Sequence, residues 1–151
     1  HTNDAASAIT RLLDMGVEKF LIASTVSGVL AQRLVRTLCR DCRMLVDPPA
    51  ILREQIAARA ARGEAHQLYG AVGCSNCRGT GYRGRTVIAE FMALDGPLRR
   101  QILVSADAVQ LRTTAVYDGM ETLYENGLVC AMAGITSFDE VVRMAQDMEG
   151  G

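Results

Sequence analysis

A chain of 151 residues, 49% hydrophobic and with a net charge near −1, has the apolar content to fold and lacks the charge excess of a disordered chain. It has no run of 18 apolar residues, which argues against a membrane-spanning helix, and a pI near 6.1 without tryptophan argues against a nucleic-acid-binding surface. The length suits one ordinary domain, or a core with a small appended module.

The chain opens His1-Thr2-Asn3-Asp4 with no initiator methionine and no signal peptide. It therefore reads as a piece of a longer protein whose targeting information lies elsewhere. Thr2 to Ala5 offers a side-chain cap, and Ile9, Leu12 and Leu13 predict a short amphipathic helix that Gly16 stops. Residues 18–27 predict a second helix, ended by Gly28. From 29 to 38 the period changes. Leu30, Gln32, Leu34, Arg36 and Leu38 share one face, with Arg33, Val35 and Thr37 on the other, which predicts a strand with helix as the alternative. After Cys42 the chain turns at Pro48-Pro49 with Asp47 as a cap, and an alanine-rich helix over 51–61 closes at Gly63. Gly79, Gly81 and Gly84 predict tight turns over 78–85, before a strand over 86–91 that Asp95-Gly96-Pro97 breaks. The remainder reads as helical: 98–104, a helix capped by Asp107, 119–126, and 137–148 behind the Thr136-Ser137 hydroxyls. In that last helix Asp139 or Glu140 favours the positive end.

Charge is unevenly spread. Residues 31–90 carry ten arginines against five acids, and 91–151 carry four against nine. This is either an ordinary solvated surface or a pair of complementary regions that face each other or neighbouring subunits.

The strongest chemical signal is cysteine spacing. Cys39-Arg40-Asp41-Cys42 and Cys74-Ser75-Asn76-Cys77 are two Cys-x-x-Cys pairs separated by 31 residues. Two such turns offer the four thiolates that tetrahedral zinc prefers, and such a closed site holds structure rather than performing chemistry. A redox dithiol or unpaired buried thiols are the alternatives. An odd count of five cysteines argues for a reducing compartment, hence a cytoplasmic chain. Cys130 reads as a small buried hydrophobe. The glycine-rich stretch 77–85 reads as a metal turn before it reads as a phosphate cradle, although Arg83 and Arg85 could meet an anion. No Gly-x-x-x-x-Gly-Lys-Ser/Thr loop is present, and Lys19 is the only lysine. The fragment is thus expected to be non-catalytic, with no cofactor-binding residues. His66 reads as solvent-exposed. His1 is ambiguous, because a terminal histidine is also what a cleaved purification tag leaves.

Seven separated blocks then match one pattern in order: His1-Thr2-Asn3-Asp4-Ala5; Leu12 to Gly16; Phe20 to Ser24; Gly28 to Arg36; the two cysteine pairs; Gly81-Tyr82-Arg83-Gly84-Arg85; and Gly134-Ile135-Thr136-Ser137 with Glu140-Val141. Together they resemble the C-terminal third of the type II secretion and type IV pilus assembly ATPases. The resemblance implies an α/β fold: the C-terminal portion of a RecA-like P-loop ATPase domain, mostly helical with short strands. It divides as core over 1–38, a tetracysteine zinc module over 39–84, and a return strand with helical subdomain over 85–151. The parent it implies is a cytoplasmic hexamer, peripheral at the inner membrane, that uses ATP and Mg²⁺ to drive pilus or pseudopilus assembly through a membrane platform protein. His1 would match the histidine box near the terminal phosphate, and the nucleotide motifs would lie upstream. Cys39, Cys42, Cys74 and Cys77 would hold Zn²⁺. Arg33, Arg36, Arg83 and Arg85 are expected at subunit interfaces or near nucleotide. Cys74 to Gly81 also resembles one repeat of the zinc region of DnaJ-type chaperones, and a zinc-ribbon nucleic-acid module is a further alternative.

Overall fold

Asp4 is extended (φ −146°) and its carboxylate accepts the Ser7 N–H, which starts α1 (Ala5–Asp14). The computed structural model to which this helix belongs describes residues 4–63 and 66–149. Along the chain follow α2 (Lys19–Thr25), β1 (Gly28–Leu38), β2 (Met44–Val46), a 3₁₀ turn (Ala50–Leu52), α3 (Arg53–Ala60), β3 (Leu68–Gly70), a second 3₁₀ turn (Ser75–Cys77) and β4 (Tyr82–Ala93). Four helices end it: α4 (Gly96–Val104), α5 (Ala108–Tyr117), α6 (Leu123–Met132) and α7 (Phe138–Glu149). β1 pairs with β4, and β2 pairs antiparallel with β3 in the register Met44↔Gly70, Leu45↔Tyr69, Val46↔Leu68. The chain is a mixed helix and strand structure, and no helix among the described residues is long and apolar enough to cross a membrane.

The chain divides into two compact units, His1–Gln32 with Ala89–Leu123, and Arg33–Ile88 with Tyr124–Gly151. In the first, α1 packs on α5, α2 on α4, and α4 on α5. Their shared core is Ala5, Ala6, Ile9, Ile22, Ala23, Met92, Leu94, Leu98, Ile102, Leu111 and Ala115. Each fully buried Ile or Leu contributes about 1.5 to 3 kcal/mol of apolar burial. α2 and α4 also tie each other's ends: Lys19 Nζ donates to the Val104 carbonyl at 3.2 Å, while Arg99 donates to the carbonyls of Ala23, Val26 and Leu94. A cation over the last carbonyls of a helix satisfies groups that the helix itself leaves open.

Glu90 is a buried carboxyl group of this unit. Its Oε1 accepts the Ala5 N–H at 2.6 Å and its Oε2 the Leu123 N–H at 3.0 Å, so one carboxylate opens both α1 and α6.

In the second unit Val35, Leu38, Leu52, Ile56, Leu68, Ile88, Leu128, Ala131, Val141 and Met144 are buried. The structure corrects four expectations here and at the junctions. Gly119 does not open a helix; at φ +99° it follows the end of α5, and α6 starts only at Leu123. β4 begins at Tyr82 rather than 86 and absorbs Gly84. Asp47 caps nothing: Pro49 and Leu52 stand at the two helix starts, and neither start has a side-chain cap bond. Cys130 is half-buried rather than buried.

Candidate metal centre

The four paired cysteines arrive on two turns. Cys39 follows directly on β1, and the Arg43 N–H returns to its carbonyl at 3.0 Å, which folds Cys39 to Cys42 into a tight loop. Cys74 precedes the 3₁₀ turn that ends at Cys77, where Arg78 takes a left-handed φ of 54° and the Gly79 N–H returns to the Cys74 carbonyl at 2.8 Å. Hydrogen bonds join the two turns. Cys39 N–H donates to the Gly81 carbonyl at 2.9 Å, and the Asn76 amide donates to Asp41 Oδ2 at 3.0 Å.

All four sulfurs lie within 4.8 Å of one another. Cys39 to Cys74 is 3.9 Å, Cys42 to Cys77 is 3.8 Å, and Cys74 to Cys77 is 3.8 Å. A zinc ion bonded to four sulfurs at about 2.3 Å holds them about 3.8 Å apart, the edge of a tetrahedron. A disulfide would need about 2.05 Å. The donor set and its spacing therefore fit a four-coordinate metal ion.

Backbone N–H groups are aimed at the sulfurs. Gly73 donates to Cys42 at 3.4 Å, and Cys74 and Gly81 donate to Cys77 at 3.1 Å each. Burial alone pushes the Cys77 thiol up, but these two donors, together with the neighbouring Cys74 and Cys42 side chains, favour its thiolate and bring it down to about 6. Gly81 has to be glycine, since at φ +75° an added Cβ would sit 2.6 Å from the Ala71 methyl.

A polar network braces the base of the turns within the same unit. Glu140 is 1% exposed, and its carboxylate takes Arg36 Nη2 at 2.5 Å, the Arg36 N–H at 3.1 Å, and Arg143 Nε at 3.0 Å. Burial raises the carboxyl, but the Arg36 and Arg143 hydrogen bonds and the Arg36 N–H outweigh it and hold Glu140 at about 2. The Arg36 guanidinium lies 4.1 Å over the Tyr82 ring, whose hydroxyl is 2.7 Å from Ser137 Oγ. Ser137 Oγ in turn accepts the Glu140 N–H and caps α7. Beside it, Leu38 N–H donates to the Ile135 carbonyl, Thr136 Oγ1 to the Arg36 carbonyl, and Arg43 to the Gly134 carbonyl.

The other expected site residues fare differently. His1 lies outside the described residues. His66 is exposed beside Leu45, Val46 and Leu68. Arg36 is engaged by Glu140 and Tyr82, whereas Arg83 and Arg85 are exposed. Glu140 was visible in the sequence as a favourable charge at a helix start and as part of the last matching block, but not as the acceptor of two arginines. Glu90 was missed, though its phase gave it away, since it alternates with Ile88 and Met92 on the buried face of β4.

Comparison with known proteins decides the family. The model described as "Type II/IV secretion system protein" matches residues 1–143. The chain belongs to this family. Similar relatives include the "Type IV pilus assembly ATPase PilB" of Thermus thermophilus, 43% identical over 94% of this chain and 16% of its own length. Another is the "Type IV pilus assembly ATPase TfpB" of Acinetobacter baylyi, 44% identical over 95% of this chain and 25% of its own length. The "Type II secretion system protein E" of Dickeya dadantii is 38% identical over 97% of this chain and 28% of its own length. The chain thus spans between a sixth and just over a quarter of these relatives. The resemblance read from the seven blocks holds, and three of those blocks meet physically. In this type II/IV secretion system protein, Arg36, Tyr82 and the Thr136-Ser137-Glu140 stretch join in one network beside the cysteine turns.

Proposed function

We propose that this chain is the C-terminal segment of a secretion or pilus-assembly motor ATPase, in which Cys39, Cys42, Cys74 and Cys77 hold a structural zinc ion. The observation that carries the metal reading is the set of sulfur separations at 3.8 to 3.9 Å, which suits four thiolates around one ion. The ion supplies binding free energy of about 10 to 16 kcal/mol in small zinc modules, enough to decide whether such turns fold. In this reading the segment by itself is non-catalytic, and ATP with Mg²⁺ is used by a hexameric parent at the inner membrane whose nucleotide motifs lie in its other parts. His1 takes the histidine-box role near the terminal phosphate, and the part with the Arg36–Glu140 network braces the zinc turns. Family membership and the activities named for the relatives support it.

Metal analysis by mass spectrometry with thiol titration tests the centre. One zinc per chain, with four thiols released by a chelator, is the expected result; absence of metal with all four thiols free in the native protein overturns it. For the motor reading, the full-length parent is assayed for ATP hydrolysis with and without His1→Ala.

A further inference from the structure

Two arginines of the second unit line one cleft, and neither guanidinium has a partner among the described residues. The cleft, of about 400 Å³, opens beside the first cysteine turn and is lined by Thr37, Leu38, Cys39, Arg40, Asp41 and Arg83. Its floor is buried: Leu38 is 2% exposed and Cys39 1%. Arg40 and Arg83, both exposed, line the same cleft because the Cys39 N–H bonds the Gly81 carbonyl, which sets the residue after Cys39 beside the start of β4. Among the described residues, neither guanidinium has a hydrogen-bond or ion-pair partner. Some other arginines of this unit are engaged, Arg36 and Arg143 by Glu140 and Arg43 by Tyr69 and the Gly134 carbonyl, whereas the side chains of Arg53, Arg78 and Arg85 also stand without a partner among the described residues. The one carboxylate in the cleft, Asp41, is taken by Asn76.

Nor are the two arginines needed by the sulfurs, whose donors are the N–H groups of Gly73, Cys74 and Gly81. What remains is a concave site with two planar donors, a threonine and a buried floor. That combination suits an oxyanion, because charge-assisted bonds strengthen where water is partly excluded. We infer that this cleft binds the carboxylates of an acidic segment of another protein. A nucleic acid is disfavoured: no aromatic side chain lines the cleft for a base to stack on, and the chain as a whole is near neutral. The inference does not rest on the motor reading.

The test titrates the metal-loaded chain with an acetylated, amidated hexapeptide of alternating Glu and Asp, followed by amide NMR. Shifts confined to residues 37–41 and 81–83, weakened by about 0.5 M salt, are expected. Joint replacement Arg40→Glu and Arg83→Glu is expected to weaken binding at least about tenfold. Zinc is measured in every sample, and Arg40→Gln and Arg83→Gln serve singly if the double variant loses metal. Shifts spread equally over Arg53 and Arg85 overturn the site, as does tighter binding of inorganic phosphate or anionic vesicles. Peptide binding that survives both single variants while zinc affinity falls would assign the arginines to charge compensation at the sulfurs instead.

Discussion

Arg36 holds Glu140 twice, through Nη2 at 2.5 Å and through its own backbone N–H at 3.1 Å. The pair joins β1 to the first turn of α7, and because Glu140 is 1% exposed its charge has no water to fall back on. Glu140→Ala is expected to cost about 2 to 3 kcal/mol, below a fully buried pair because the Arg36 side chain is half exposed. Urea denaturation of the metal-loaded chain measures it; a loss under about 0.5 kcal/mol would mean that the network is decorative.

The same carboxylate gives a pH dependence of known sign. Its folded value of about 2 lies below the ordinary 4.5, so its contribution is complete above pH 4.5 and disappears as pH falls towards 2. Thiol protonation acts on the wild type and on Glu140→Gln alike. The stability gap between those two chains should therefore narrow between pH 4.5 and pH 2. A gap that stays constant across that range would contradict the assignment.

Glu90 opens two helices at once, and its removal should loosen both. Glu90→Ala leaves the Ala5 and Leu123 N–H groups without their acceptor, at an expected cost of about 2 to 4 kcal/mol. Glu90→Gln keeps one acceptor oxygen and should lose roughly half of that. Hydrogen exchange is the check: the first turns of α1 and α6 should lose protection together, and protection lost at only one of them would show that the shared cap is not the cause.

Gly81 and Gly84 separate conformational strain from crowding. Both have positive φ, but a Cβ on Gly84 meets nothing within 4 Å, whereas on Gly81 it meets Ala71 at 2.6 Å. Gly84→Ala is expected to cost about 1 kcal/mol and Gly81→Ala about 3 kcal/mol, with weaker metal retention only in the latter. Thermal denaturation with metal analysis distinguishes them; equal costs would remove the packing argument.

Chelation should act locally. Stripping metal is expected to abolish exchange protection in the two turns and in β2 and β3 while α1, α4 and α5 stay protected, because the first unit keeps its own apolar core. Uniform loss throughout the chain would show that the metal supports the whole molecule.

Much of this architecture was legible because the chain announces helix starts and metal turns with local chemistry. Asp4, Asp107 and Ser137 each accept an N–H three residues on, as capping residues should. The cysteine spacing likewise foretold which four sulfurs converge. β2 and β3 were illegible, since three-residue strands carry no period and exist only through their pairing. Gly119 misled because a glycine reads equally as the end of one helix or the approach to the next. Arg99 gave no signal at all. An arginine on a helix reads as solvated surface, and only the fold brings the carbonyls of Ala23 and Val26 within its reach.

The long interval between the cysteine pairs leaves one further consequence. The stretch from the 3₁₀ turn through α3 is held at its ends by the β2–β3 ladder, and beyond that by the two cysteine turns, so its own length adds little to the entropy of closing the loop. Arg53, Glu54, Gln55, Ala57 and Ala58 on α3 are all exposed. This helix is accordingly a permissive address for grafting, where an epitope or a fluorophore-bearing segment can replace native residues and report on the assembled protein without disturbing what lies beneath.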